Sequence, residues 1–310
     1  MKGAKINKSY THWVTLLIGL VMMILLGLIY AWSVFVAPLE NEFGWDRAQT
    51  SVTFTVSMSF FVIGLISAGL LSSKISKRYI TILAVFCLLL GLLLSSRINS
   101  LLELCITYGV LVGLGVGLAN NALVSTIVEW FPNRRGFAAG VLLMGYGMGG
   151  FVLSPIAVTL MNVIGWRSTF IGFGIVFSLV IGFGSIIVKP PKQSAGQAKT
   201  GVSSDLNAAQ AIRQQSFWLY LLWFTMIMAG GLMVIGHASP YAQSIGATPA
   251  FAAVATGILS IFNGSGRAIT GAIYDRFGLK ISMIITTSNL LGAAVIFLLF
   301  ILRLKRPLKI

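Results

Sequence analysis

The chain reads as an all-α membrane protein, a helical bundle of six plus three transmembrane helices. Three observations predict this. Of 310 residues, 57% are hydrophobic and only 9% charged, too few charges for a soluble globular surface. Apolar stretches of 18 residues or more, long enough to cross a hydrocarbon core of ~30 Å, recur along the whole length. The basic residues gather in alternate connections between these stretches, as membrane topology requires.

Taken in order, the predicted segments are 13–37, 48–72, 79–96, 104–128, 137–161, 168–188, 217–240, 250–274 and 281–302. The first is too long for the apolar core of a cleaved signal peptide, and eight more follow it. The second ends at Lys74, Lys77 and Arg78, the fourth at Arg134 and Arg135, and the sixth at Lys189 and Lys192. With the N-terminus inside, these positions are cytoplasmic, while outer connections carry only Arg47, Arg97 and Arg167. Trp45 and Trp166 stand at outer segment ends and Trp130 at an inner one, where interfacial aromatic belts form. The expected setting is the plasma membrane, multi-pass, with the N-terminus cytoplasmic.

A net charge of +15 would suggest nucleic acid in a soluble protein. Here its distribution is a topology signal, so the expected partners are the lipid bilayer and a small solute, with no nucleic acid; oligomeric state is not specified. Cys87 and Cys105 lie inside apolar segments and offer neither a disulfide framework nor a metal site. Gly145-x-Gly147-x-x-Gly150 fits a dinucleotide fingerprint formally, but it sits inside an apolar helix and lacks the preceding strand that motif needs. Neither a nucleophile triad, a ligand cluster nor a phosphate loop is present, so no enzyme and no cofactor is expected.

The long polar stretch Lys189–Gln215 opens on Pro190-Pro191 and is rich in Ser, Ala, Gln and Lys. It divides the chain into an N-terminal six-helix bundle (1–188), a cytoplasmic linker (189–216) and an incomplete C-terminal bundle of three helices (217–310). A faint internal repeat supports the division. Gly69-Leu-Leu-Ser-Ser-Lys-Ile-Ser-Lys-Arg78 follows the second segment, and Gly271-Ala-Ile-Tyr-Asp-Arg-Phe-Gly-Leu-Lys280 follows the second segment after the linker. Transporters built from two similar halves carry such symmetry.

Arg267 is the most informative residue. It lies in 250–274, a run with no other charge before Asp275 and Arg276. An arginine at a bilayer centre costs about 2.5–3.5 kcal/mol on insertion scales, so it needs a partner or a task. Ser260, Asn263, Arg267, Thr270 and Tyr274 repeat at helical spacing, which places a polar stripe around one fixed positive charge. That arrangement suits an anion path; the alternative is an interfacial arginine that snorkels to the membrane surface.

On these motifs the chain resembles the major facilitator superfamily, and within it the oxalate/formate antiporter family. Gly271-x-x-x-Asp275-Arg276-x-Gly278-x-Lys280 is similar to the superfamily's signature cytoplasmic loop. Tyr30-Ala-Trp32-Ser, Gly44-Trp45, Trp130-Phe-Pro-x-x-Arg135-Gly136, Gly145-Tyr146-Gly147-x-Gly149, Gly165-Trp166-Arg167 and Asn263-Gly264-x-Gly266-Arg267 resemble the narrower family. The first-half loop departs from the pattern, with Ser73 in place of Asp and Ser76 in place of Gly. The resemblance implies alternating-access exchange of small mono- or dicarboxylates such as oxalate and formate. It assigns substrate binding to Arg267, Asn263, Tyr30 and Tyr146, and gating to the loop Gly271, Asp275, Arg276, Gly278 and Lys280. The bland alternative for the two tyrosines is interhelical packing. Asn120 stands where the family pattern has a tyrosine, so no role transfers to it.

By the same resemblance twelve segments are expected and the chain looks truncated after the ninth, with Arg303, Lys305, Arg306 and Lys309 in its tail. The family's second cation, a lysine late in the second half, would then be missing. The rival expectation is therefore a truncated, non-transporting remnant. His237 lacks an intramembrane carboxylate to relay protons, which favours exchange over proton symport.

Overall fold

A computed structural model describes residues 3–191, 208–228, 246 and 248–304. His237, most of the linker and the tail residues Lys305, Arg306 and Lys309 lie outside them. Helices account for the described secondary structure. They are α1 (Gly3–Leu26), a 3₁₀ stretch Gly27–Ala31, α2 (Ser33–Phe43), α3 (Arg47–Leu71), α4 (Lys77–Ser95), α5 (Leu101–Leu104), a π-helical stretch Cys105–Val112, α6 (Gly113–Ile127) and α7 (Arg135–Ile187). After the linker come α8 (Ala208–Ile212), α9 (Gln215–Met228) and α10 (Pro249–Leu304).

Among the described residues, five stretches are long and apolar enough to cross a membrane: His12–Ala31, Arg47–Leu71, Lys77–Ser95, Leu101–Trp130 and Arg135–Ile187. The last is two helices in succession. Gly165, at φ 78°, breaks it between two segments, each of which exceeds ~30 Å at 1.5 Å per residue. Gly278, at φ 77°, breaks α10 in the same way. Both backbones lie where a side chain would clash, and glycine removes the cost.

By packing, the chain forms two units: residues 1–194 with 260–271, and residues 195–259 with 272–310. In the first unit, α3 lies against α6, and α1 and α4 lie against α7. Its interior holds Met22, Met23, Phe35, Tyr108 and Phe170, each fully buried. The outward faces are apolar too: Leu17, Ile66, Leu70, Leu102 and Phe183 are each about 60–70% exposed. Apolar surface outside as well as inside is what a lipid solvent selects, since no polar coat is needed there. Serine and threonine hydroxyls within the spans bond back to carbonyls of their own helix, as Ser57 does to Phe54 O (2.7 Å) and Thr126 to Ala122 O (2.6 Å), so few hydroxyls meet lipid unpaired.

The two rims of this unit differ. Residues 40–50, 96–103 and 164–167 share one end, where Asp46 and Gln49 form a capping box on α3 and Arg47 pairs with Glu40 at 2.8 Å. At the other end Lys77 pairs with Glu129 at 2.7 Å, Trp130 Nε1 donates to Lys189 O at 2.8 Å and His12 packs on the Trp130 ring. In the second unit, Trp223 Nε1 donates to Thr287 Oγ1 at 2.9 Å.

Candidate functional site

The first half of α7 brings Gly136, Gly140, Leu143, Tyr146 and Gly147 along one side at helical spacing. Residues 260–271 of α10 lie on it backbone to backbone. A Cβ on Gly140 would sit 2.5 Å from the Arg267 carbonyl oxygen and 2.9 Å from the Ala268 Cα. One on Gly264 would sit 2.7 Å from the Met148 side chain, and one on Gly271 would strike the Gly136 carbonyl. Small residues thus set the two helices closer than side chains allow.

This approach places Arg267. Its Nη1 donates to Leu143 O at 3.1 Å and its Nη2 to Asn263 Oδ1 at 3.4 Å. Asn263 is one turn away on the same helix, as the spacing predicts. Neither acceptor is charged, and no carboxylate pairs with Arg267 among the described residues. The guanidinium is therefore desolvated in part and retains donors for an anion, in a planar fork that matches a carboxylate. The side chain is partly buried and bonded inward to α7.

Tyr146 is 2% exposed, and its hydroxyl has no partner at full hydrogen-bond geometry, the Tyr30 side chain being the bonding group that approaches it. Tyr30 and Arg267 are among the groups that act on it electrostatically. Its ring packs edge-on against Tyr30 (centroids 5.1 Å) and stacks on Phe61 (5.5 Å). A buried hydroxyl without an acceptor costs ~1–3 kcal/mol, and next to an arginine it is a donor available to an anion. The structure thus brings Arg267, Asn263, Tyr146 and Tyr30 into one neighbourhood. It does not extend the polar stripe: Thr270 and Tyr274 are exposed, Tyr274 at 46%.

In the loop motif, Gly271 seals against α7 and Gly278 makes the left-handed break. Asp275 is partly buried and has an interaction partner. Arg276 stacks over the Phe277 ring at 5.3 Å, and Lys280 is exposed.

Sequence reasoning missed Phe61 and the Leu143 carbonyl, because a backbone acceptor and a cross-helix contact leave no residue signature; the four-residue spacing of Gly136 and Gly140 signals a close helix approach but not that its partner is Arg267 and Ala268. It also missed the buried Trp32 and Tyr108, whose rings lie 4.6 Å apart and whose polar atoms have no partners. Asn120, 4% exposed, likewise has an unpartnered amide nitrogen, whereas Asn121 Nδ2 donates to Leu65 O at 2.8 Å.

Comparison with known proteins agrees with this architecture. The family model described as Major Facilitator Superfamily matches residues 15–307. The chain is 29% identical to the uncharacterized MFS-type transporter YhjX of Escherichia coli (strain K12), over 93% of this chain and 72% of that protein. It is 25% identical to the oxalate:formate antiporter of Oxalobacter formigenes, over 86% of this chain and 64% of that one. For monocarboxylate transporter 12-B of Danio rerio the figures are 24%, 80% and 58%. The chain thus spans somewhat under two thirds of these last two relatives. Among solved structures, the proton:xylose symporter XylE superposes with a TM-score of 0.64 at 18% identity, over 87% of this chain and 70% of that one, a likeness of fold. With its helical bundle, its membrane-length segments and a family match over nearly its whole length, the chain is a multi-pass membrane protein, not an enzyme, and belongs to the Major Facilitator Superfamily.

Proposed function

We propose that the chain serves the transport of small carboxylate anions, oxalate or formate or a related monocarboxylate, by alternating-access exchange across the plasma membrane. The observation that carries this reading is Arg267, a lone cation in the apolar run 250–274 whose acceptors are one backbone carbonyl and one amide oxygen. Tyr146 adds an unpartnered donor beside it. A carboxylate on this pair would gain a charge-assisted fork and a hydroxyl bond in a poorly solvated site. The names of the oxalate:formate antiporter and of monocarboxylate transporter 12-B point to the same substrate class. The N-terminus is proposed to be cytoplasmic, because Lys74, Lys77, Arg78, Arg134, Arg135 and Lys189 share its side. Gly271, Asp275, Arg276, Gly278 and Lys280 are proposed to form the cytoplasmic gating loop, and residues 189–216 the linker between bundles.

The test is equilibrium binding of labelled oxalate and formate to the purified chain, followed by counterflow in liposomes. Arg267→Gln is expected to weaken binding by roughly 30-fold or more, since losing a desolvated charged pair costs about 2–5 kcal/mol. Arg267→Lys should recover only part, as an ammonium cannot form the fork. Parent affinity in the Gln variant refutes the site. Binding without counterflow would support the non-transporting remnant over the exchanger.

A further inference from the structure

We infer that Gly140 is a positioning residue for the anion site: by lacking a side chain it seats the Arg267 backbone on α7, and that seat is what brings the guanidinium to the Leu143 carbonyl beside Tyr146. The inference rests on the reading of Arg267 as the anion-binding group, and it adds a way in which that site is held and released.

Three contacts define the seat. Gly264 meets Met144 and Met148, Arg267 and Ala268 meet Gly140, and Gly271 meets Gly136. As residue numbers rise along α10 they fall along α7, so the helices run antiparallel in one register for about 10 Å, seven residues at 1.5 Å each. Not every glycine nearby belongs to the seam. Gly266, one residue from Arg267, has nothing within 4 Å of a Cβ, so the seam is not a by-product of a glycine-rich segment. The glycine stripe alone would show only close packing. The hydroxyl of Tyr146, 2% exposed and unpartnered, adds an independent sign of a ligand on the same stretch of α7.

The geometry leaves little tolerance. At Gly140 the obstructing atoms are the carbonyl oxygen and Cα of α10, at 2.5 and 2.9 Å from a Cβ. Backbone cannot swing aside as a flexible side chain would, so even alanine must lift α10 from α7. The bond from Arg267 to Leu143 O is already 3.1 Å, and a lift of about half an ångström takes it beyond hydrogen-bonding range. At Gly147 a Cβ would rest 3.5 Å from the guanidinium carbon, which is ordinary contact. One face of α7 therefore seats the arginine backbone at Gly140 and its head near Gly147. Whatever separates the two helices at Gly140 also withdraws the cation from Tyr146, so opening the seam and weakening the anion site are one event.

A double-mutant cycle tests this, with labelled oxalate binding as one readout and thiol labelling as the other. Gly140→Ala is expected to reduce oxalate affinity about tenfold in the parent chain, the effect of one charge-assisted bond. It should have no further effect in the Arg267→Gln background, because the residue it positions is gone. Gly266→Ala should leave affinity unchanged. Labelling uses a chain with Cys87→Ala and Cys105→Ala that carries Ala268→Cys. The thiol should be protected there and become reactive when Gly140→Ala is added. Equal losses in the parent and Arg267→Gln backgrounds would show a general packing defect and overturn the inference, as would unchanged affinity in Gly140→Ala. Equal labelling with and without Gly140→Ala would overturn the seating itself and needs no ligand. Parent affinity in Arg267→Gln would instead refute the proposed anion site, while the labelling result still reports the seam.

Discussion

Arg167 and Glu42, 125 residues apart, are joined by a bond of 2.5 Å between Nη2 and Oε1. The same carboxylate accepts from Trp166 Nε1 at 2.6 Å, and the other arm of Arg167 reaches Ser96 O and Ile98 O at 3.4 and 3.3 Å. The Glu42–Arg167 pair therefore ties together the end of α2, the residues just past α4 and the start of the second half of α7. The side chains are 38% and 41% exposed, so the ion pair alone contributes no more than ~1 kcal/mol. Trp166 is only 7% exposed, however, and its N–H would be left unpaired. Glu42→Ala is expected to destabilise the fold by about 1–3 kcal/mol, more than Arg167→Ala, measured as thermal unfolding in detergent. An unchanged midpoint for Glu42→Ala would show that the clamp contributes nothing.

Tyr108 presents the opposite case. It is fully buried, its ring packs on Trp32, and its hydroxyl finds no partner. Removing the oxygen and keeping the ring relieves a desolvation cost, so Tyr108→Phe should leave stability unchanged or raise it by up to ~1–3 kcal/mol. A clear loss of stability would mean that the hydroxyl is bonded in the membrane-embedded protein.

Orientation is testable without a substrate. Lys189 is exposed at the rim that carries the Lys77–Glu129 pair, and this rim holds the basic excess. Lys189→Cys should resist a membrane-impermeant thiol reagent in intact cells and react after permeabilisation. Ready labelling in intact cells would reverse the proposed topology.

The family fold is legible in the sequence because lipid leaves a coarse signature. About twenty apolar residues between charged ends read as a crossing whatever packs against them, and Gly165 and Gly278 announce their breaks through Gly-Trp-Arg and the Asp275-Arg276 loop. Arg267 and Asn263 are legible for a related reason, since a polar residue in such a run is conspicuous and an i, i+4 pair must meet. The partners across helices are not. Nothing in the residues around Leu143 says that its carbonyl accepts from Arg267, and the register that places Gly140 on Ala268 belongs to two helices at once. The polar stripe is shorter than its spacing predicts: Thr270 and Tyr274 share a face with Arg267 on an ideal helix, but α7 covers only the part of that face near the seam.

Glycine in this protein has two opposite roles, and alanine substitutions should separate them by sign. Gly117 on α6 faces α3, where a Cβ would strike the Phe61 carbonyl and lie 3.0 Å from the Gly64 Cα. Gly64 answers it, with the Leu114 carbonyl 2.5 Å from its own Cβ position. The obstructing atoms are backbone on both sides, so the helices must part, and overpacking of this kind costs about 1–3 kcal/mol or more. Gly172, in the second half of α7, has nothing within 4 Å. There alanine meets no obstacle and gains the helix preference lost by glycine, about 0.8–1 kcal/mol. Gly117→Ala should therefore lower the thermal midpoint in detergent and Gly172→Ala should raise it. Gly64→Ala with Gly117→Ala should cost less than the sum of the two, since one displacement of α3 from α6 accommodates both methyl groups. Equal effects of Gly117→Ala and Gly172→Ala would mean that the α3–α6 contact is looser than backbone on backbone, and would remove the packing basis for the first bundle.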